Sequence, residues 1–553
     1  MSEHKIPIPS RIYNAAIDGH VAGADQIIDD KTGITLDKFA GGALEEKEYI
    51  SGSNNGMGRV VLRKHLVEGV NTLTQSTINK SNTIYIIQYD FTLGEDITIP
   101  SNCVLEFDGG SISGAYTITG TNTGINAGLV KIFNTDVILS GTWNVAEAYP
   151  EWFGAKGDGI TDDVSAINCA LLYFNCVILS AKSYTIGSVD TDGIGIRIPA
   201  YRTLRGIYHD ENLSKGTSVV TIKQGITYTS VVSITGKNCT LEDFSVIGCG
   251  VDGVETACVS TNSGYSRCTI NRIDVSGTYY GFNLQLYLTT MTQCNANYCS
   301  IGFYIHGGDS TNHTTFTAIC CYACDCRLRG HYWNHMTYSS LINCACDSSG
   351  VPTSGTIDNN TDIGYAYYFN ACNSISVISC GHERCLRSIY CNLTQGISFK
   401  NCNFLMSKHQ ATTFDENFVL KDIVNIRYSV SVEIDKCYFN MDTVTSVFTN
   451  TTRLILLHGQ ETNDKLLIYN ILPTGYIQLS NIGSEGFVTI WKNLKYIDDR
   501  YVTNTTQDNR PTFNSTIDKA YYSGFMFFDE TLTPKKPIYW NGTAWVDATG
   551  TPV

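Results

Sequence analysis

The sequence lacks basic charge, long apolar runs and a recognisable leader, and each absence excludes a class of protein. Only 16% of the 553 residues are charged and the formal net charge is −14, so no basic surface for nucleic acids or anionic membranes is expected. No apolar run approaches the roughly 18–20 residues that span a bilayer. We therefore expect neither nucleic-acid binding nor membrane insertion, whereas a neutral or weakly charged glycan is compatible with this charge.

The N-terminal residues MSEHKIP contain no apolar core of a signal peptide, so we expect no secretory leader. Twenty-one cysteines would indicate a disulfide framework in a small secreted protein. This chain is large enough to bury a core without cross-links. In a reducing cytoplasm its cysteines are expected to remain thiols that pack as small apolar side chains.

The residues that are abundant favour strands and turns. A hydrophobic content of 43% supports a core, and 49 glycines and 33 tyrosines, with many Asn, Ser and Thr residues, suit strand ladders and tight turns. The length leaves room for several domains or for one long repetitive body with smaller ends attached.

One helix is predicted at the head of a long run of strands. The sequence WFGAKGDGITDD at residues 152–163 contains three glycines that indicate a tight loop, and Thr161 or Asp162 is placed to cap a helix. An apolar stripe with helical spacing follows at Ile167, Leu171 and Phe174. Because the sequence downstream to about residue 445 is typical of strands, we expect this helix to cover their open apolar end.

An internal repeat runs through residues 177–445. Short strands end in the pattern apolar-x-x-Cys, and later intervals between the cysteines are 36 (380−344), 22 (402−380) and 35 (437−402) residues. A base period near 22–26 residues with insertions fits one coil of a parallel β-helix. Inward residues three apart require a bend between them, because a straight strand has a period of two. The pattern occurs at Val246/Cys249, Met291/Cys294, Leu341/Cys344, Val377/Cys380, Phe399/Cys402 and Ile434/Cys437, with Cys320 or Cys321 ending a further run.

The run at residues 152–163 resembles the FGAKGDGxTDDxxAI signature that opens the pectate-lyase-like right-handed β-helix of many bacteriophage tail spikes. The N-terminal section and the C-terminal hairpin also resemble tail fibres and tail spikes of phages that infect gut anaerobes. The resemblance implies an all-β protein with a right-handed parallel β-helix, a short capping helix and small β-rich C-terminal domains. It also implies a homotrimer in the virion tail that is made in the host cytoplasm, contacts other tail proteins through its N-terminus and binds host surface polysaccharide.

These observations predict six segments. They are a virion-attachment segment (1–50), an N-terminal β-rich domain (51–147), the entry motif and capping helix (148–176), the β-helix body (177–449), a small β domain (450–502) and an aromatic hairpin tip (503–553).

Carboxylates at one offset from the repeating cysteines are the candidate catalytic groups. Asp347 follows Cys344 by three residues and Glu383 follows Cys380 by three, so both are expected on one outer face of neighbouring coils. Asp325 is expected one coil further. A glycosidase needs one carboxyl group as acid and another as nucleophile or base, about 5–5.5 Å apart in retaining enzymes and about 6.5–9.5 Å apart in inverting ones. The alternative interpretation is that these acids are ordinary solvated turn residues.

Other residues are candidates for substrate contact. The insertion that ends at Asp362, just before Tyr365, could wall a groove beside the acids. His382, Arg384 and Arg387 could supply the base and the anion clamp of a polysaccharide lyase. At the hairpin tip, Trp540 and Trp545 flank an Asn-Gly turn and could stack on sugars, although they could equally be the core of a tiny domain.

Metal binding and a purely mechanical role are the remaining alternatives. Cys321-x-x-Cys324 and Cys344-x-Cys346 resemble fragments of zinc sites, yet they follow the repeat, and no Asp cluster for calcium is visible. We therefore expect no metal and no cofactor. The main rival function is a non-enzymatic receptor-binding fibre whose β-helix is a spacer. A bacterial cell-surface adhesin or lyase is a third possibility.

Overall fold

A computed structural model of the chain is nearly all strand and divides into two compact units. The first unit comprises residues 1–188 and 202–207, and the second comprises residues 189–201 and 208–553. The structure describes residues 48–54, 57–62, 71–207, 217–250, 255–261, 263–308, 313–350, 356–357, 363–406, 413–414, 422–427, 429–435, 437–441, 453–458, 478–480, 526–529, 532 and 536–553.

The first unit begins as a small parallel coil of its own. Asn82, Asn102 and Asn122 all adopt positive φ, and the side-chain amides of Asn102 and Asn122 each donate to the asparagine 20 residues earlier, at 3.3 Å. Asparagine tolerates this left-handed conformation at modest cost, so it marks a repeated corner. Among the described strand pairs of this unit, only the first is antiparallel. The strands are Glu48–Asn54, Met57–Leu62, Thr72–Leu73, Thr83–Ile87, Phe91–Leu93, Ile97–Thr98, Val104–Phe107, Ile112–Ser113, Thr117–Asn126 and Ile138–Asn144.

This coil and the predicted capping helix pack together within the first unit. A 3-10 turn at Pro150–Phe153 precedes the helix Val164–Tyr173, and aromatic contacts tie both to the coil. The rings of Trp143 and Phe174 are 6.5 Å apart, and those of Trp152 and Phe174 are 5.8 Å apart. The described residues of 51–147 and 148–176 fall within this one compact unit. The remaining strands of the unit are Asp158–Asp162, Cys176–Ile178, Ser183–Ile186 and Thr203–Arg205.

The loop before the helix is organised by one buried carboxylate. Asp163 is 1% exposed and accepts backbone N–H groups of Lys156 at 2.6 Å, Gly157 at 3.2 Å and Thr185 at 3.2 Å. Asp163, and not Thr161 or Asp162 as predicted, is the helix N-cap, although Asp162 accepts the N–H of Val164 at 3.2 Å. Burial raises the pKa of Asp163, and the three N–H groups oppose that rise. The predicted apolar stripe is correct, because Ile167, Leu171 and Phe174 are all buried.

The second unit is the predicted parallel β-helix, and each regular coil contains three strands. One face is a parallel sheet, called here the tyrosine sheet, made of Ile194–Ile198, Ser230–Ile234, Ala257–Thr261, Tyr280–Leu284, Ile301–His306, Arg329–Asn334, Tyr365–Asn370, Arg387–Asn392, Asp422–Arg427 and Arg453–His458. The other two faces belong to a long bent sheet made of Val219–Ile222, Thr240–Ile247, Thr269–Ser276, Thr289–Thr292, Asn295–Asn297, His313–Thr314, Phe316–Ile319, Tyr322–Cys324, Met336–Ile342, Ala345–Asp347, Asn373–Ile378, Gly381–Glu383, Gln395–Lys400, Asn403–Met406, Val430–Asp435, Tyr438–Met441 and Gln478–Ser480.

The bend of the long sheet lies where the cysteine pattern predicts it. A residue with positive φ separates the two strands in successive coils, as with Cys320, Asn343, Ser379 and Asn401 at φ values of 51–55°. This single left-handed residue turns the chain, so the apolar residue before it and the cysteine after it both lie inward. A second corner has the same conformation at Tyr298, Asp325, Ser348 and Arg384, and a third has it at His335, Ala371 and Leu393.

Six inward cysteines form one column through the body. Register pairs place Cys294, Cys321, Cys344, Cys380, Cys402 and Cys437 directly above one another. Cys320 is the exposed corner residue, and Cys249 lies outside the column, since Phe244 and Ile273 occupy its positions in the earlier coils. All 21 cysteines are free thiols. Burial raises the pKa of Cys299, another inward cysteine, to about 11, which keeps it protonated.

Aromatic rings stack along the inner face of the tyrosine sheet. The rings of Phe282 and Phe303 are 5.1 Å apart, those of Phe303 and His331 4.8 Å, and those of His331 and Tyr367 5.4 Å, all within 5° of parallel. Parallel in-register pairing repeats each side chain about 4.8 Å from the next, the spacing at which rings stack.

The body continues past the predicted boundary at residue 449. Arg453–His458 pairs in parallel with Asp422–Arg427, and Gln478–Ser480 pairs with Tyr438–Met441, so both strands extend the body's sheets. Two short parallel pairs stand apart from these sheets, Tyr265–Ser266 with Leu286–Tyr287 and Thr356–Ile357 with Thr413–Phe414.

The predicted hairpin tip is an antiparallel sheet of Met526–Asp529, Lys536–Trp540 and Trp545–Val546. The virion-attachment segment lies outside the described residues up to Glu48, as does nearly all of 450–502 apart from the two body strands. No helix among the described residues is long and apolar enough to cross a membrane.

Removing the Asp163 carboxylate should destabilise the protein. Asp163→Ala leaves three N–H groups without their acceptor, one of them on the buried Thr185, so the free energy of unfolding should fall by on the order of 1–3 kcal/mol in chemical denaturation. Asp158→Ala is the matched control, because that exposed carboxylate also accepts backbone N–H groups, from Ile160 and Thr161. Equal losses in the two variants would contradict the assignment.

Candidate active site

The strand register brings two of the three predicted acids together. Asp347 is paired with Glu383 on the adjacent strand, in a column that runs from Cys324 to Leu405. Asp347 is partly exposed and Glu383 is exposed. Because paired residues of neighbouring strands point the same way, both side chains lie on the outer face, from strands ~4.8 Å apart.

Asp325 does not belong to this column. It lies at the second corner with φ 50°, and its N–H donates to the carbonyl of Asp347 at 3.0 Å. Ser348 and Arg384 occupy the equivalent corner positions of the next two coils. Asp325 is therefore offset by one residue from the acid pair and lies at the corner, not at the outward strand positions of Asp347 and Glu383.

Hydroxyl groups hold the carboxylate of Asp347. Ser348 Oγ donates to Asp347 Oδ1 at 3.1 Å, and Tyr322 Oη, from the preceding coil, is 3.4 Å from Asp347 Oδ2. Ser348 is itself buried, and burial raises the pKa of Tyr322, so its hydroxyl stays protonated and able to donate. Neither Ser348 nor Tyr322 was predicted, because hydroxyl side chains are common in this sequence. Only the geometry of the corner shows that they lie beside Asp347.

The interior beneath the acids is unusually polar. The two buried histidines among the described residues, His331 and His382, both lie in the coils that carry the acids. His331 Nε2 donates to the Ala345 carbonyl at 3.1 Å, and His382 Nε2 is 2.7 Å from Ser388 Oγ. Burial lowers the pKa of both rings, that of His382 to about 3, so both are neutral near pH 7.

His382 therefore cannot be the predicted surface base or substrate contact. Within Gly381–Glu383 the strand alternation turns its neighbours outward and places His382 inside, where its ring stacks on Phe404 at 5.3 Å. Tyr365 is 1% exposed and Arg387 is 6% exposed, so neither presents its side chain to a surface ligand as predicted. Arg387 instead donates to the Ile363 carbonyl at 2.7 Å, with its guanidinium over the Tyr365 ring.

The remaining predicted contacts divide between the acid pair and the tip. Arg384 is exposed directly after Glu383, so it is the predicted cation that stays beside the acids. Trp540 and Trp545 are buried against each other at 5.6 Å and against Ile538, so they form the core of the tip, as the alternative interpretation had it, and do not offer stacking surfaces. Asp362 lies outside the described residues.

The cysteine pairs that resemble zinc fragments do not converge. Cys321 is buried in the inward column, whereas Cys324 stands two strand positions past Tyr322 on the outward side, next to Asp347 in the register. Cys344 and Cys346 point inward at different columns. Within the described residues no group of three or more His, Cys, Asp or Glu side chains is arranged to hold a metal ion.

The comparisons with known proteins concern the fold. No protein-family model matches the chain, and no curated protein matches it. One similar solved structure is the gp42 tailspike of Acinetobacter phage vb_AbaP_AS12, with 14% sequence identity and a TM-score of 0.41. The match covers 72% of this chain and 76% of the tailspike chain. The enzymatically active domain of tailspike protein 2 of bacteriophage CBA120 has 13% sequence identity and a TM-score of 0.37. That match covers 56% of this chain and 41% of the tailspike chain. The A-module of the mannuronan C-5 epimerase AlgE6 of Azotobacter vinelandii has 12% sequence identity and a TM-score of 0.32. That match covers 60% of this chain and 94% of the A-module.

Acid should destabilise the coils beneath the site through His382. The unfolded ring titrates near pH 6.5 and the folded ring near 3, so below about pH 6.5 the unfolded state binds more protons and stability falls. His382→Phe should reduce this loss by up to about 1.4 kcal/mol per pH unit between pH 6.5 and 4. The measurement is the free energy of unfolding by denaturant at several pH values.

The control for this measurement is His335→Asn. His335 is a partly exposed corner residue with φ 53°, a conformation that asparagine accepts. It removes a histidine that lies outside the buried interior, so a change of slope in His382→Phe no larger than the change in this variant would contradict the role of the buried ring.

Proposed function

We propose that the protein is a phage tail spike or tail fibre that binds host surface polysaccharide and cleaves it as an endo-glycosidase through Asp347 and Glu383. The observation that carries this proposal is the in-register pairing of these two acids on the outer face of adjacent strands. The resemblance of residues 152–163 to the tail-spike signature supports the biological setting. Assembly as a homotrimer and attachment through the N-terminus follow from that resemblance and belong to the proposal.

The arrangement suits general acid and nucleophile chemistry. One carboxyl group protonates the glycosidic oxygen while the other attacks the anomeric carbon, and water then releases the glycosyl group. The strand spacing of ~4.8 Å is nearer to the 5–5.5 Å of retaining enzymes than to the wider separation of inverting ones. The hydroxyl groups of Ser348 and Tyr322 fix the position of the Asp347 carboxylate, so we assign Asp347 as the nucleophile and the exposed Glu383 as the acid.

Hydrolysis and elimination are separated by their products. The protein is incubated with a panel of purified bacterial surface polysaccharides, and new reducing ends are measured together with the ultraviolet absorbance of unsaturated uronates. Reducing ends without absorbance establish a hydrolase. Absorbance would indicate a lyase, and binding without any product would support the non-enzymatic fibre, whose β-helix is only a spacer.

Substitution of either acid should abolish cleavage while leaving the fold intact. Asp347→Asn and Glu383→Gln are each expected to lower the rate by roughly 100- to 10,000-fold, because each removes one proton-transfer or nucleophilic group. Glu255→Gln, at an exposed acid before the tyrosine-sheet strand Ala257–Thr261, is the matched control and should keep the full rate. Undiminished cleavage in either acid variant would refute the pair.

A further inference from the structure

The outer face beside the acid pair contains a depression made by two small residues. Ala345 precedes Asp347 by two positions, Gly381 precedes Glu383 by two, and the register pairs Ala345 with Gly381. Alternate residues of a strand share a face, so both lie outward beside the carboxylates, and both are partly exposed. The side chain of Ala345 is a methyl group and that of Gly381 is a hydrogen atom, so the surface here lies lower than at the larger neighbouring side chains.

Larger polar side chains bound the depression along the column. Tyr322 is paired with Ala345 on one side, and Asn403 is paired with Gly381 on the other. The hydroxyl of Tyr322 lies 3.4 Å from Asp347 Oδ2, so the tyrosine borders both the depression and the acid. An aromatic edge and an amide across a floor of small residues form the kind of polar and apolar lining that sugar rings occupy.

The floor is fixed from inside the β-helix. His331 Nε2 donates to the Ala345 carbonyl at 3.1 Å, and the buried hydroxyl of Tyr367 is 2.6 Å from the Gly381 carbonyl and 2.9 Å from that of Cys344. Buried polar groups are costly unless satisfied, and here they hold the backbone of the two strands that carry the acids. A rigid floor lowers the cost of ordering a ligand.

We propose that this depression, formed by Tyr322, Ala345, Gly381 and Asn403, is a subsite for one neutral pyranose ring next to the scissile bond. The inference rests on the proposed function for its position relative to the chemistry. The sugar is neutral because the rim carries two carboxylates, which repel a uronate at close range. Tyr322 acts as a positioning residue, since it borders the place of the sugar ring and its hydroxyl contacts Asp347.

The test uses free monosaccharides, which have no bond to cleave. Saturation-transfer NMR is recorded for the wild-type protein with glucose, galactose, N-acetylglucosamine and glucuronate, each alone. We expect transfer to at least one neutral sugar and none to glucuronate. In Ala345→Leu the signal should fall by about tenfold or more, because the added side chain fills the volume that the ring needs.

The control is Ser340→Leu, which introduces the same side chain at a partly exposed outward position of the same coil, on the other strand of the long sheet. It should keep the signal, and circular dichroism and thermal melting verify that both variants are folded. If Ala345→Leu fails to fold, Tyr322→Ala replaces it, since loss of the tyrosine ring from the rim must also weaken the signal.

Three results would overturn the subsite: no neutral sugar receives saturation, glucuronate is the preferred ligand, or folded Ala345→Leu binds as wild type. These outcomes are separate from the cleavage assay. A neutral sugar whose signal Ala345→Leu removes, together with unchanged polysaccharide cleavage in Asp347→Asn and Glu383→Gln, would leave the subsite standing and refute the catalytic pair. Loss of cleavage in both acid variants with an unaffected Ala345→Leu would do the reverse.

Discussion

The body depends on residues held in the left-handed conformation at the corners of each coil. Every such non-glycine residue costs roughly 1–2 kcal/mol of backbone free energy, yet the same position repeats in coil after coil, as at Asn343, Ser379 and Asn401. The cost is offset by the parallel hydrogen bonds and the inward burial that an identical bend in each coil permits. The pairing of Asp347 with Glu383 follows, since each acid lies four residues past its corner.

The interior is apolar along most of its length and polar beneath the acids. Buried rings such as His331 and His382 weaken a core, because an unprotonated imidazole must lose its hydration and find partners. Phenylalanine would fill the same column, as Phe303 and Phe404 do next to them. His331 binds the carbonyl of Ala345, and His382 binds the hydroxyl of Ser388. Burying these polar rings lowers the stability of the core, but their hydrogen bonds fix the strands that carry the acids.

The sequence predicted the regular part of this architecture. The apolar-x-x-Cys spacing requires a bend, and that requirement placed Cys344, Cys380, Cys402 and Cys437 in a column. It also placed the acids that follow the first two, Asp347 and Glu383, in register. The prediction for His382 was wrong because side chains alternate along a strand. Glu383 points outward, so His382 before it must point inward. Cys249 matched the pattern by residue type, but the strand register aligns Phe244, and not Cys249, with the column. The strand Arg453–His458 pairs with Asp422–Arg427 beyond the predicted end of the body.

Coil lengths differ while the columns stay aligned, and this has an evolutionary consequence. Asn370 and Asn392 are joined by a hydrogen bond across 22 residues, whereas Asn334 and Asn370 make the same bond across 36. The additional residues lie between Asp347 and Tyr365 in the chain, and the strands on either side keep their register. A lineage can therefore exchange or lengthen such loops freely, whereas the inward positions are constrained only in size and polarity. Descendants of one ancestor would then keep the scaffold long after their sequences had ceased to align.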